Sequence, residues 1–178
     1  LGQKGKSNLE PLLKDFLNSD IDTLFIDNIE VNVANTLEIS NVSNKVLVFA
    51  PGIELLADKE GFRAKSDVFF KIENCSNITI LGNGLQIKMN KELYQEGEWR
   101  HLISIKGSTN ITLRQLNLYN SGGDGVYIAG STKKSFSENI VLDSILSSGN
   151  KRQGISIISA KNVLVSNSTF CNTMGTLP

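Results

Sequence analysis

The sequence predicts a parallel β-helix, a stack of short coils closed at one end by a helix. Three observations predict it. An Asn followed by a run of Ile, Val, Leu and Thr recurs along the chain. A second apolar run, ending in Ile, recurs in step just upstream of it. One amphipathic helix stands at the N-terminal side, and after it the apolar period is two.

The Asn motif reads NKVLVF from Asn44, NITILG from Asn77, NITLRQ from Asn110, NIVLDS from Asn139 and NVLVSN from Asn162. Successive starts lie 33, 33, 29 and 23 residues apart. The upstream runs end at Ile72 (FFKI), Ile105 (LISI), Ile128 (GVYI) and Ile157 (GISI), with spacings of 33, 23 and 29. A unit of ~20–35 residues with two or three short strands cannot bury its own apolar face. Stacked on its neighbours it buries a continuous core, with parallel strands about 4.8 Å apart. Ile103, Val126 and Ile155, with Ile105, Ile128 and Ile157, then form one inward stack. Ser104, Tyr127 and Ser156 form an outward row, and Leu102, Gly125 and Gly154 fall opposite the inward stack. The Asn that heads each unit belongs at a turn, where stacked amides can hydrogen-bond along the axis.

The helix follows from Leu9, Leu12, Leu13, Phe16 and Leu17, which share one face at a 3.6-residue period. Ser7 and Glu10 have the spacing of a capping box, Pro11 falls in the first turn, and NSD at 18–20 ends the segment. A helix over 7–19 would cover the first coil, whose edge otherwise offers unpaired backbone groups. The organisation is one domain, 1–178, with the cap over 7–19 and coils over 20–178.

Composition supports many short strands: Asn, Ser, Thr and Gly are abundant and Ala is scarce. Lys+Arg and Asp+Glu balance at 18 each, so neither nucleic acid nor a membrane surface is an expected partner. No run of 18 apolar residues exists that would span a bilayer. No leader is visible in LGQKGKSNLE, a start that a processed chain would also show. Cys75 and Cys171 are several coils apart and are not expected to bridge. The five Asn-x-Ser/Thr triplets, at Asn41, Asn74, Asn77, Asn110 and Asn167, read as turns leading into strands rather than as glycan sites.

The cap helix, the Asn ladder and the GDGVYI and GISI strands resemble the right-handed parallel β-helices of the pectate-lyase-like superfamily. That superfamily includes pectate lyases, polygalacturonases and other glycoside hydrolases, uronate epimerases and phage tailspikes. The resemblance covers residues 7–178. It implies an all-β, right-handed parallel β-helix of about five to six coils, a carbohydrate-related function, and a secreted or cell-surface protein. One scaffold of this kind hosts many reactions, so the reaction must be argued from the site.

Aligned on Ile105, Ile128 and Ile157, RHLISI lies over GDGVYI, which lies over RQGISI. His101, Asp124 and Gln153 then fall on one line, one coil apart, and Arg100 and Arg152 bracket Gly123. An Asp between a His and an Arg suits acid–base work on a sugar. GDG is equally a tight turn in which Asp bonds its own backbone and Gly supplies positive φ. Asp124 is the leading catalytic candidate, with His101 and Arg152. Arg100, Gln153, Tyr127, Trp99 and Glu98 are the candidates for substrate binding. The segment KELYQEGEWRH, 91–101, interrupts the repeat and carries the one Trp. Its Tyr94, Glu96, Glu98 and Trp99 either wall a groove beside the ladder or pack back over the helix side. In the first case Glu96 or Glu98 would supply a second carboxylate, which glycoside hydrolysis needs about 5 to 9.5 Å from the first.

GGDGVYI resembles the Asn-Thr-Asp-Gly strand start of polygalacturonases and places one acid at Asp124. RQGISII resembles their Gly-His-Gly-Ile-Ser-Ile segment, with Gln153 where the His belongs, and their Asp-Asp coil has no counterpart. Asp143 in NIVLDS is the next carboxylate, expected to face solvent or a turn. The polygalacturonase mechanism is therefore not implied. The pectate lyases imply a Ca²⁺ cluster and an Arg near the uronate. Arg152 and Arg100 could serve as such cations, but no multi-carboxylate cage is evident. No cofactor is expected, and Asp124 with turn carbonyls is the one place where Ca²⁺ would bind.

The expected function is an enzyme of glycoside hydrolase or lyase type, or a binder, acting on a polysaccharide or oligosaccharide at Asp124. A non-catalytic glycan-binding or adhesion module is the alternative. The last repeat stops at Pro178 before a GISI-type strand. It reads as a truncation with an open apolar edge, which a second copy would cover in a homodimer, and with weak or absent catalysis.

Overall fold

A computed structural model of the chain describes residues 7–173. The expectations about the segment before Ser7 and about the stop at Pro178 lie outside these residues. One helix, α1 (Leu9–Leu17), precedes the strands. The first seven are β1 (Thr23–Ile26), β2 (Asn32–Val33), β3 (Leu37–Ser40), β4 (Ser43–Phe49), β5 (Glu54–Ala57), β6 (Phe70–Glu73) and β7 (Ser76–Lys88). The rest are β8 (Ile103–Lys106), β9 (Thr109–Tyr119), β10 (Val126–Ala129), β11 (Ser137–Ser148), β12 (Ile155–Ile157), β13 (Ala160–Ser166) and β14 (Thr169–Cys171).

Every strand pairing is parallel, as a coil stacked on a coil requires. One sheet runs β12-β10-β8-β6-β3. The other runs β1-β4-β7-β9-β11-β13, with β2, β5 and β14 continuing it beyond a bend. The register matches the repeat frame: Ile39, Ile72, Ile105, Ile128 and Ile157 stack on one line. The first four are fully buried, so the two-residue period places a continuous Ile stack in the core. Ile157 is 49% exposed, because no described strand pairs with β12 on its other side. Leu102, expected to face away from the inward stack, is in the core, and Ser104, expected in the outward row, is buried as well, so β8 is covered on both faces.

The Asn residues turn the chain. Asn44, Asn77, Asn110, Asn139 and Asn162 all have φ between 54 and 58°, a left-handed conformation that Asn adopts more cheaply than other side-chain-bearing residues. Their amides form one chain of hydrogen bonds. Asn77 donates to Asn44 at 2.8 Å, Asn110 to Asn77 at 2.8 Å, Asn139 to Asn110 at 2.9 Å and Asn162 to Asn139 at 3.0 Å. Replacing Asn110 with Ala should cost about 2 kcal/mol, part backbone strain and part lost amide bonds. Asn110→Gly should cost about half of that, since it relieves only the strain. Urea midpoints of the two variants measure the split, and equal losses would remove the strain component.

The strands run past this corner farther than the motif suggested. β7, β9 and β11 cross a second bend, at Asn83 and Gly84, at Gln115 and at Ser144, each with positive φ. Gln115 and Ser144 are residues that sequence patterns do not flag for such a turn.

The helix cap departs from the capping-box reading. The N-cap is Asn8, whose side chain accepts from Glu10 N at 2.9 Å. Ser7 instead forms a parallel bridge with Ile29. Glu10 does not reach back to the cap. Its carboxylate accepts from Ala34 N at 3.0 Å, Asn35 N at 2.9 Å and Asn35 Nδ2 at 3.0 Å, fixing the helix to the first coil. Leu9, Leu13 and Phe16 bury their face against that coil, the covering role expected of the segment.

Candidate functional site

The register places Ile103, Val126 and Ile155 side by side. His101, Asp124 and Gln153 therefore lie on consecutive coils, as the alignment predicts. Backbone bonds complete the row: Leu102 N donates to Asp124 O at 3.1 Å and Gly125 N to Gln153 O at 2.9 Å. Side chains add to it. Asp124 N donates to His101 Nδ1 at 2.9 Å, and Gln153 N donates to Asp124 Oδ1 at 3.0 Å. The His101 ring stacks on Tyr127, with centroids 4.5 Å apart and planes 8° from parallel.

Burial changes the picture of an open row of polar groups. His101 is 3% exposed and Asp124 1%, so both form the floor of the site. Burial pushes the His101 pKa down to about 4, although the Asp124 carboxylate pulls the other way. Lys106 and Arg152 add to the downward shift. With Nδ1 accepting a backbone N–H, the neutral ring carries its proton on Nε2.

The inserted segment lies against the ladder side of the coils. Lys91 Nζ donates to Gly149 O at 2.6 Å. From the facing turn, Lys151 Nζ donates to Tyr94 O at 2.8 Å and Gly97 O at 3.3 Å. Tyr94 is buried there, while Trp99 stays 53% exposed. This clamp sets Glu98 beside the floor. Arg152 Nε lies 3.6 Å from Glu98 Oε2 and 3.9 Å from Asp124 Oδ1. Both oxygens lie within 4 Å of the same Nε, so they are at most about 7.5 Å apart, below the upper limit of about 9.5 Å for a glycosidase carboxyl pair. The lysine clamp was not legible as such, because neither lysine belongs to a recognisable motif.

Arg100 requires a correction. It was expected to bind substrate, but it is 5% exposed and its guanidinium donates to Phe62 O at 2.9 Å, Glu96 O at 2.7 Å and Arg63 O at 3.0 Å. It holds the two long loops together and has no face toward the site. Glu96 pairs with Lys65 at 2.7 Å on the exterior, leaving Glu98 as the second acid. Asp143 lies on the outer face of β11, where hydrogen bonds from Asn167 and Ser166 hold its carboxyl below the usual range.

The glycines around Asp124 serve close approach rather than positive φ, which none of them adopts. A Cβ on Gly123 would lie 2.6 Å from Glu98 O and 3.0 Å from His101 Nδ1. One on Gly125 would strike Ser147 Oγ and lie 2.6 Å from Gly154 O. GDG is thus a tight turn that packs the 91–101 loop against the acid.

Ca²⁺ does not fit here. Around Asp124 stand a guanidinium, an imidazole and backbone N–H donors rather than oxygen ligands. Among the described residues, no group of three or more His, Cys, Asp or Glu is placed to hold a metal ion.

Comparison with known proteins agrees with the architecture. The model for the right-handed β-helix region matches residues 101–175. No curated protein matches the chain. Among solved structures the chain is similar to a candidate glycosyl hydrolase from Parabacteroides merdae, with a TM-score of 0.61 at 13% identity. That match covers 90% of this chain and 86% of the other. The fold is thus a right-handed parallel β-helix, the class that the sequence predicts.

Proposed function

We propose that this protein acts on a polysaccharide or oligosaccharide at the Asp124–Glu98 pair, as a glycoside hydrolase. One observation carries the reading: two carboxylates from different coils share one guanidinium and lie no farther apart than a glycosidase pair. The roles divide by environment. Asp124 is fixed on the floor by Gln153 N and faces His101. Glu98 is on the loop, with its side chain 29% exposed, where a sugar can reach it. Trp99, half exposed beside Glu98, supplies a face for a sugar ring. Arg152, with its side chain 25% exposed, and Glu98 stand between Asp124 and solvent.

The burial of Asp124 favours a second reading, a glycan-binding module in which the acid is structural. A reducing-end assay over a polysaccharide panel separates the two. The hydrolase reading expects turnover that falls at least about 100-fold in both Asp124→Asn and Glu98→Gln. Binding without turnover selects the module. Turnover that survives both changes places the chemistry elsewhere.

A further inference from the structure

Asp124 Oδ2 and Arg152 Nε are both buried and make no hydrogen bond within the protein. They are neighbours, since Arg152 Nε lies 3.9 Å from the other oxygen of the same carboxylate. One is an acceptor and the other a donor, and leaving either unpaired in the interior is costly. A group that both donates and accepts satisfies the two together. In a sugar that group is a hydroxyl.

We infer that this subsite takes a hydroxyl of a neutral sugar and rejects an acidic sugar, an inference that rests on the glycan reading above. The charges decide between the two classes. A ligand carboxylate would satisfy Arg152 Nε but would leave Asp124 Oδ2 facing a second anion. It would be the third carboxylate around one guanidinium, after Asp124 and Glu98. Among the described residues, the other cations around the site already have partners within the protein. His101 is neutral at pH 7, with Nδ1 occupied by Asp124 N. The Arg100 guanidinium is held by three carbonyls, and Lys151 by Tyr94 O and Gly97 O. Lys106 stands over the Tyr127 ring, 5.6 Å from its centroid. Like charges brought together at such a site disfavour binding, so discrimination on the order of 100-fold follows.

The test is calorimetric titration of the full chain with oligosaccharides matched in linkage and differing only in oxidation at C6, neutral against uronate. Neutral oligomers should bind on the order of 100-fold tighter than their uronates. Glu98→Gln and Asp124→Asn each remove one carboxylate, and each should narrow that ratio by about tenfold or more. Glu98 is on the loop, so its variant tests the inference even if Asp124→Asn does not fold. Uronates bound as well as or better than neutral oligomers would overturn the neutral-sugar inference and leave the glycan reading standing. Failure of every oligomer to bind wild type and both variants would overturn the glycan reading, and the inference with it.

Discussion

Gly125→Ala should destabilise the protein by more than about 3 kcal/mol, enough to leave much of it unfolded at ordinary temperature. The added methyl would overlap Ser147 Oγ and lie 2.6 Å from the backbone oxygen of Gly154. Neither neighbour can yield cheaply. Ser147 is fully buried, donates to Gly154 O at 2.9 Å and accepts from Asn150 Nδ2 at 2.8 Å. Gly154 O accepts from Val126 N at 3.1 Å, a rung of the ladder itself. Gly84→Ala is the control. Gly84 has φ +86° and nothing within 4 Å of a new Cβ, so only backbone strain of about 1–2 kcal/mol is lost. Adding Ser147→Gly to Gly125→Ala should restore part of the loss, since it removes the closest of three collisions, the others being with Gly154 O at 2.6 Å and Asn150 Nδ2 at 2.9 Å. Chemical denaturation of the four proteins decides. A mild effect of Gly125→Ala would mean that the coils beneath Asp124 are not packed as described.

The same contacts explain what was legible in the sequence. The coil register could be read because each coil repeats one physical requirement, an Ile facing inward and an Asn turning in the left-handed region. The alignment of His101, Asp124 and Gln153 followed from that register alone. Burial did not follow from it. Whether Asp124 lies on a rim or a floor depends on where the 91–101 segment rests. That is settled by Lys91, Lys151 and Arg100 finding backbone carbonyls 37 to 58 residues away, apart from one within the loop. Arg100 illustrates the limit. Its place beside His101 suggested a substrate cation, whereas its partners, Phe62 O and Arg63 O, come from an irregular loop with no periodic signal. The cap helix shows the same limit in small. Its apolar face was plain, but Glu10 had a better partner in Ala34 N and Asn35 N than in its own first turn.

The single histidine makes the floor of the site measurable. His101 should titrate near pH 4 rather than 6.5 in the folded protein, because burial disfavours the charged ring more than Asp124 favours it. The stability consequence has a definite sign. Between pH 6.5 and about 4 the unfolded chain binds a proton at this residue and the folded chain does not, so stability rises with pH across that window. The contribution is fully present above pH 6.5 and lost as pH falls toward 4, on the order of 3 kcal/mol in all. His101→Gln removes the titrating group, and its stability should be flatter than wild type over the same window. Asp124→Asn removes the one neighbour that raises the pKa, so in that variant His101 should titrate lower still. One imidazole resonance reports both values in heteronuclear NMR, since the chain has no other histidine. A His101 pKa near 6.5 would mean that water reaches the ring and that Asp124 lies in an open groove. An unchanged value in Asp124→Asn would mean that the carboxylate does not act on the ring across the 3.5 Å between Oδ2 and Nδ1.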